Sequence, residues 1–550
     1  MAVALLVTAL ILCTSAQAQV RPDAGQILRE RDQTDPSLQR PPKEAPPISI
    51  PTERPAAPSP DDTKIAVNTF HITGSSALTT EELSNLLNQW KGLELTLEDL
   101  EVVTERITRH YRDQGYLVAR AYLPEQTIRD GIVEIAVLEG RIGQVILKNS
   151  SRLSEHQAQT WTGKINPGTI VHEPELERTL ILLNNTPGIS AANAALQPGA
   201  SVGLSDLVLS LQPGPFISGE IDASNYGNRY TGAYLVGGTF NLNSPLHIGD
   251  QLTTRVQVSN ERLYYGRLGY RVPIGASGLI AGGAWSDSRY HLGRNFAVLN
   301  ANGDARIGSI FATFPFVRSR TFNITGAMAF DQKSLQDRID ATATGVRKKI
   351  KLVTTGVSGD GQWGDSGYNF SIGYTAGNLD IQTPDAATID ATTARSNGRY
   401  GKLTYTASGM FPIAGAWSLL AAISGQHANK NLDSSEKFSL GGAEGVRAYP
   451  QGEAAADEGY LATTALRYRL ENALVSCFID TGAVRINHTP FSDGDNHRHL
   501  SAIGLGLDWI SRSGFQLKAS VAWKIGNASA TSDTDRHARA WLQVSKVLAD

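Results

Sequence analysis

Gly441-Gly-Ala-Glu-Gly-Val-Arg-Ala-Tyr449 is followed, about thirty residues later, by Phe478-Ile-Asp-Thr-Gly482. The first segment puts Arg447 on a Gly-rich loop. The second reads as a strand, and two-residue alternation places Phe478 and Gly482 on the same face as Asp480, with Cys477 and Ile479 on the other. A loop cation and a wall carboxylate of this kind suit a loop pinned inside a closed sheet.

The surrounding chain has the matching period. Beyond Pro215, Leu252, Thr254, Val256 and Val258 alternate with Thr253, Arg255, Gln257 and Ser259. Near the end, Phe515, Leu517, Ala519, Val521, Trp523 and Ile525 alternate with Gln516, Lys518, Ser520, Ala522 and Lys524. One face is apolar and the other charged or small, as a lipid-facing wall around a wet lumen requires. A soluble sandwich gives the same alternation, so the count of segments and their connections must discriminate. Sixteen segments fall between Phe216 and Leu548. Short connections (Pro273–Gly278, Trp363–Gly367, Pro412–Ala416, Glu471–Leu474) alternate with expected long loops such as Asp287–Asn302, Asp331–Lys349 and Leu379–Arg399. Short turns on one side, long loops on the other and an even count predict an outer-membrane β-barrel of 16 antiparallel strands over 214–550.

The start of the chain agrees with export. Residues 1–18 form an apolar run ending in Ala16-Gln17-Ala18, the small-residue pattern of a signal peptide, so the mature chain is expected to begin at Gln19. Bulky Leu12 before Cys13 argues against a lipidation site there. Only Cys477 then remains, which leaves no intrachain disulfide. No later stretch is long and apolar enough for a transmembrane helix. The 53 Gly, 17 Tyr and 15 Phe of the 550 residues suit barrel walls, and the formal net charge of -3 gives no sign of a nucleic-acid partner.

Residues 19–35 read either as a short polar helix, with Asp23 placed to cap it, or as a disordered N-terminal tail. Nine prolines between Pro36 and Pro60 make 36–62 an extended linker. From 63 to 140 the order is strand, helix, helix, strand, strand. Thr79-Thr-Glu-Glu82 is a capping box, Leu100, Val103, Ile107 and Tyr111 share one helix face, and Tyr116–Tyr122 and Ile132–Leu138 alternate as strands. The order repeats over 141–213, so two α+β modules stand in tandem. Trp90 and Tyr111 read as module core. Glu81, Glu82, Glu98 and Asp99 occupy first turns of helices, where the dipole favours them without any catalytic role.

At this point the whole mature chain resembles the two-partner-secretion (type V) transporters of the outer membrane, the haemolysin and filamentous-haemagglutinin secretion proteins. The run Tyr111-Arg-Asp-Gln-Gly-Tyr-Leu-Val-Ala-Arg-Ala-Tyr-Leu-Pro124 with Val137-Leu-Glu-Gly-Arg-Ile142 is similar to the family's first POTRA module. Its loop signature Val-Arg-Gly-Tyr stands here as Val446-Arg447-Ala448-Tyr449, with Ala where Gly alone reaches left-handed φ cheaply.

The resemblance implies a plug helix (19–35), two POTRA modules, and an inward loop (428–459) locked by Val446, Arg447, Tyr449, Phe478, Asp480 and Gly482. Arg255, Lys518 and Lys524 become candidates to line the pore. It also implies a secreted exoprotein client bound along POTRA sheet edges, periplasmic chaperones, the outer-membrane assembly machinery and surrounding lipid. Instead of a terminal aromatic the chain ends Trp541-Leu-Gln-Val-Ser-Lys-Val-Leu-Ala-Asp550, which makes Trp541 and Leu548 the candidates for reading by that machinery.

No enzyme is expected, since neither a nucleophile elbow, a zinc spacing nor a nucleotide-binding loop is present. The cluster Asp493-Gly-Asp-Asn-His-Arg-His499 reads as a solvated loop rather than a metal site, and no cofactor is implied. A general outer-membrane assembly factor shares the barrel and the arginine loop, and a passive porin or receptor shares the barrel. Two modules behind a Pro-rich linker favour the exporter.

Overall fold

The computed structural model describes residues 22–33, 48 and 63–549. The expected signal peptide, and the Pro-rich linker apart from Ile48, lie outside the described residues. Elements are numbered in chain order. Helix α1 (Ala24–Gln33) begins as the sequence suggests: the Gln26 N–H donates to the Asp23 carboxylate at 2.9 Å.

The first module contains β1 (Ile65–Val67), β2 (Thr69–Thr73), α2 (Thr80–Leu86), β3 (Leu93–Leu95), α3 (Leu97–Asp113), β4 (Arg120–Tyr122) and β5 (Ile132–Leu138). Its sheet runs β2-β5-β4, with β5 parallel to β2 and antiparallel to β4. Leu100, Val103, Ile107 and Tyr111 are buried on one face of α3 against Val133 and Ile135. Thr79 caps α2 by accepting from the Glu82 N–H, but the full reciprocal box forms at Thr96 and Asp99. Glu82 turns instead to His110, 2.8 Å away. The strand expected from Tyr116 is only Arg120–Tyr122, because Tyr116 packs edge-on against Tyr111 and the chain turns until Ala119.

The second module repeats the topology with β6 (Arg141–Asn149), α4 (Glu155–Thr162), α5 (Glu173–Asn184), β7 (Ile189–Pro198) and β8 (Leu204–Pro213) in the order β6-β8-β7. Ile48 is buried in this module's core cluster. Helix α5 is seated on the barrel's short turns. Arg178 donates to the carbonyls of Pro315 (2.8 Å) and Ser277 (3.2 Å), and Glu177 meets Arg320 at 3.0 Å.

Among the described residues, sixteen strands from β9 (Ile217–Ser224) to β26 (Ala538–Ala549) form a closed antiparallel barrel, with β26 paired to β9. Alternation gives the two faces: Val256 and Val258 are exposed outward while Arg255 and Gln257 are buried inward. No described helix is long and apolar enough to cross a membrane. Crossing is by strands, whose closure leaves no unpaired edge.

The long loops differ from expectation. Asp331–Lys349 is mostly strand: β15 (Phe322–Ile339) pairs with β16 (Thr344–Trp363) until only 340–343 connect them. The ladder continues beyond the bilayer, where the outer face need no longer be apolar, so the hydropathy signal ends before the strand does. Asp287–Asn302 holds a 3-10 segment (Arg294–Leu299), and Leu379–Arg399 holds a helix (Pro384–Thr392).

Candidate functional site

Between β19 (Trp417–Ala428) and β22 (Glu458–Arg469) the chain folds into the lumen, carrying a two-residue hairpin, β20 (Phe438–Ser439) with β21 (Ala455–Ala456). Leu440, Val446, Ala448 and Tyr449 are fully buried there. The left-handed residues of this loop are Gly442, Gly452 and Ala454. Ala448 is not among them, so alanine is accommodated without strain at the position where the family signature has glycine.

Arg447 meets Asp480 of β23 (Ala473–Arg485) in a forked pair: Nη2 to Oδ1 at 2.7 Å and Nε to Oδ2 at 2.9 Å. The Arg447 backbone N–H (3.2 Å) and the Thr463 hydroxyl (2.9 Å) also donate to Asp480, whose side chain is fully buried. The guanidinium carbon lies 3.1 Å from the centroid of the Phe478 ring. A Cβ on Gly504 would come within 2.3 Å of that ring, so this glycine makes room for Phe478, and one on Gly482 would come within 2.4 Å of Leu440, so that glycine makes room for the inward loop. At an effective dielectric near 20 such a pair gains on the order of 4 kcal/mol, opposed by the desolvation of both ions. The Tyr449 hydroxyl donates to the Ala528 carbonyl at 3.1 Å, and the ammonium of Lys524 lies 4.6 Å above its ring.

The three basic pore candidates go to different places. Arg255 is buried against Asp222 at 3.0 Å and belongs to the wall. Lys524 pairs with Asp535. Lys518 is exposed to a cavity of about 600 Å³ toward the short-turn end, lined also by Glu444, Arg447, Arg467 and Asp508. Trp541 points inward, where its indole N–H donates to the Arg447 carbonyl at 2.7 Å, and Leu548 falls on the opposite face of β26. Strand parity thus turns Trp541 into the lumen and Leu548 away from it in the folded barrel.

Helix α1 lies in the same lumen. Ala24, Ile27 and Leu28 are buried among Tyr226, Tyr230, Leu335, Ile350 and Leu432. The Ala24 N–H donates to Asp337 (2.8 Å), the Ser434 hydroxyl to Asp23 (2.7 Å), and Arg29 to the Ser434 carbonyl (2.7 Å). Gly25 permits this approach, since a Cβ there would sit 2.4 Å from the Ser434 Oγ and 2.7 Å from the Ser435 backbone nitrogen.

Sequence reasoning missed the lysines that seat the loop. Lys333 and Lys402 meet Glu436 at 2.7 and 2.9 Å, and Lys348 meets Asp433 at 2.7 Å. Burial pushes the Glu436 carboxyl up, but the two lysines outweigh it and hold it down to about 2. Lys333 shares a strand face with Leu335, and Lys348 with Ile350 and Leu352; that two-residue period was the signal for these two, at the start and end of a stretch expected to be loop. In the 493–499 cluster, Arg498 leaves its neighbours to pair with Glu453 of the inward loop, and no metal-ligating group of three occurs among the described residues.

Two mixed modules seated on the short-turn side of a sixteen-stranded barrel, with a loop and a helix in its lumen, define a POTRA-bearing outer-membrane transporter. The chain belongs to the haemolysin secretion/activation protein family ShlB/FhaC/HecB, whose profile matches residues 203–509, with a ShlB-type POTRA domain over 65–140. It is 30% identical over 483 residues to the heme/hemopexin transporter protein HuxB of Haemophilus influenzae, covering 85% of this chain and 84% of that one. The structure resembles CdiB from Escherichia coli (TM-score 0.73, 18% identity, 97% of this chain and 100% of that chain). It also resembles CdiB from Acinetobacter baumannii (TM-score 0.67, 17% identity, 95% and 97%).

The protein is thus an outer-membrane translocator of two-partner secretion. POTRA domains in the periplasm recognise a large unfolded exoprotein, and the barrel exports it without ATP.

Proposed function

We propose that this protein is the dedicated exporter of one large exoprotein and that the structure is its resting state. The observation that carries this reading is α1 and the inward loop lying together in the lumen, joined by Asp23, Arg29 and Ser434. In this reading 1–18 is the export signal, 19–35 the plug, 36–62 its tether, 63–140 and 141–213 the POTRA domains and 214–550 the barrel.

Val446, Arg447, Tyr449, Phe478, Asp480 and Gly482 lock loop 428–459. Lys518 lines the entrance cavity, where charges of both signs keep the wall wet and bind a passing chain weakly. Arg255 and Lys524 support the wall and the loop through their ion pairs.

A client segment pairs with a POTRA sheet edge through main-chain hydrogen bonds, which tolerate many sequences. The plug then leaves, and folding of the client outside draws transport forward. Periplasmic chaperones keep the client unfolded, the assembly machinery inserts the barrel, and lipid surrounds its wall. The likeness to HuxB, named as a heme/hemopexin transporter, favours a client concerned with heme or hemopexin.

The test is quantitative proteomics of culture supernatant and outer membrane with and without the gene. Loss of one large supernatant protein is expected. Broad loss of outer-membrane barrels would point instead to an assembly factor, and no change in either fraction to a passive pore.

A further inference from the structure

Glu453 stands in the inward loop between two left-handed residues, Gly452 (φ 79°) and Ala454 (φ 52°). Alanine avoids that region, so the surroundings must hold this bend. The bend carries Glu453 to the loop 526–537, which joins β25 (Phe515–Ile525) to β26. There the carboxylate is fully buried and accepts from the Thr531 N–H (2.9 Å) and hydroxyl (2.8 Å) and from the Ser532 N–H (2.8 Å) and hydroxyl (2.7 Å). It also pairs with Arg498.

The contacts continue outward from both sides of this joint. Beside Ser532, Asp533 pairs with Arg229 at 2.9 Å and with Arg539 at 3.0 Å. Beside Arg229, Asn228 donates to Glu30 of helix α1 at 3.2 Å. Glu30 lies on Gly452, where a Cβ would come within 2.3 Å of its Oε1. The plug helix, the loop after β9, the loop before β26 and the inward loop therefore close a ring.

We propose that loop 526–537 is an outer keeper of the plug, and that Glu453 is the positioning residue holding it shut. The proposal rests on the plug reading of α1. Departure of the helix takes Glu30 from both Asn228 and Gly452, opening two joints and releasing the loop when the outlet must clear. By linkage, closure of the loop favours return of the helix to the same degree. The joint at Glu453 is strong because a buried carboxylate with charge-assisted and neutral donors leaves all of them unsatisfied when it is removed.

The test uses the full chain in lipid nanodiscs, with hydrogen exchange read over residues 529–535, single-channel conductance in planar bilayers, and heat-modifiable gel mobility to verify the barrel. Glu453→Gln should raise exchange at Thr531 and Ser532 at least tenfold with the barrel intact, and Glu453→Asp should bring it back to within about threefold of wild type. Gly25→Ala, whose methyl group meets Ser434 and Ser435 and leaves the bend at Gly452 and the bonds of Glu453 in place, should raise conductance and also raise exchange at 531–532. Increased conductance with unchanged exchange in Gly25→Ala would sink the keeper and leave the plug reading standing. No change in either would count against both, and unchanged exchange in Glu453→Gln would remove Glu453 from the role.

Discussion

Trp541 on the last barrel strand donates its indole N–H to the carbonyl of Arg447, 2.7 Å away, and meets Tyr226 edge-on with ring centroids 5.8 Å apart. The strand that closes the barrel thus also holds the backbone of the loop arginine. Trp541→Phe keeps an aromatic ring but leaves that carbonyl without its donor, at a cost of about 1 kcal/mol. Trp541→Ala adds a cavity and should cost about 3–5 kcal/mol. Denaturant unfolding of the two variants against wild type measures the difference.

Asp480 is fully buried and Arg447 largely so, so either alone is an uncompensated charge. Arg447→Ala and Asp480→Ala should each cost about 3–5 kcal/mol, and the double variant less than their sum. Secretion should fall in the same order. Full additivity in a double-mutant cycle would show that the two side chains do not act as a pair, and the charge swap gives a second check.

Gly25→Ala places a methyl group against the Ser434 Oγ and the backbone nitrogen of Ser435. Backbone cannot yield as a flexible side chain does, so the helix must shift. Open-channel conductance should rise several-fold while the barrel keeps its heat-modifiable mobility. Wild-type conductance would mean that α1 does not set the resting closure.

Glu436 supplies the pH dependence. Its folded pKa of about 2 lies below the ordinary 4.5. The stabilisation is therefore fully present above about pH 4.5 and is lost as pH falls toward about 2. It is on the order of 3 kcal/mol for loop docking. Amide protection across 432–440, taken relative to the intrinsic exchange rate at each pH, should fall through this window in wild type. Glu436→Gln should be loosened already at neutral pH, with a flatter profile.

Much of the architecture was legible because each part obeys a short-range rule. Asp23, Thr79, Thr96 and Ser154 all accept from a backbone N–H in the first turn of the helix that follows. Two-residue alternation separated Val256 from Arg255, and Phe478 from Ile479. The same rule failed where its cause ended. Past the bilayer the outer face of β15 and β16 has no lipid to match, so Lys333 and Lys348 were read as loop although they line the lumen. Strand parity, not terminal position, sets the side of the wall on which Trp541 lies.

The sequence by itself determined the periods, the caps and turns, the sixteen strands and the family, since hydropathy against lipid and water acts residue by residue. Only the tertiary structure decided what the charges do. Arg255 is consumed by Asp222, Glu436 by Lys333 and Lys402, and Glu453 by Arg498. Asp222 and Arg255 meet two strands apart along the wall, whereas Glu436 and Glu453 reach their partners only when the inward loop folds back into a barrel that the pairing of β26 with β9 has closed.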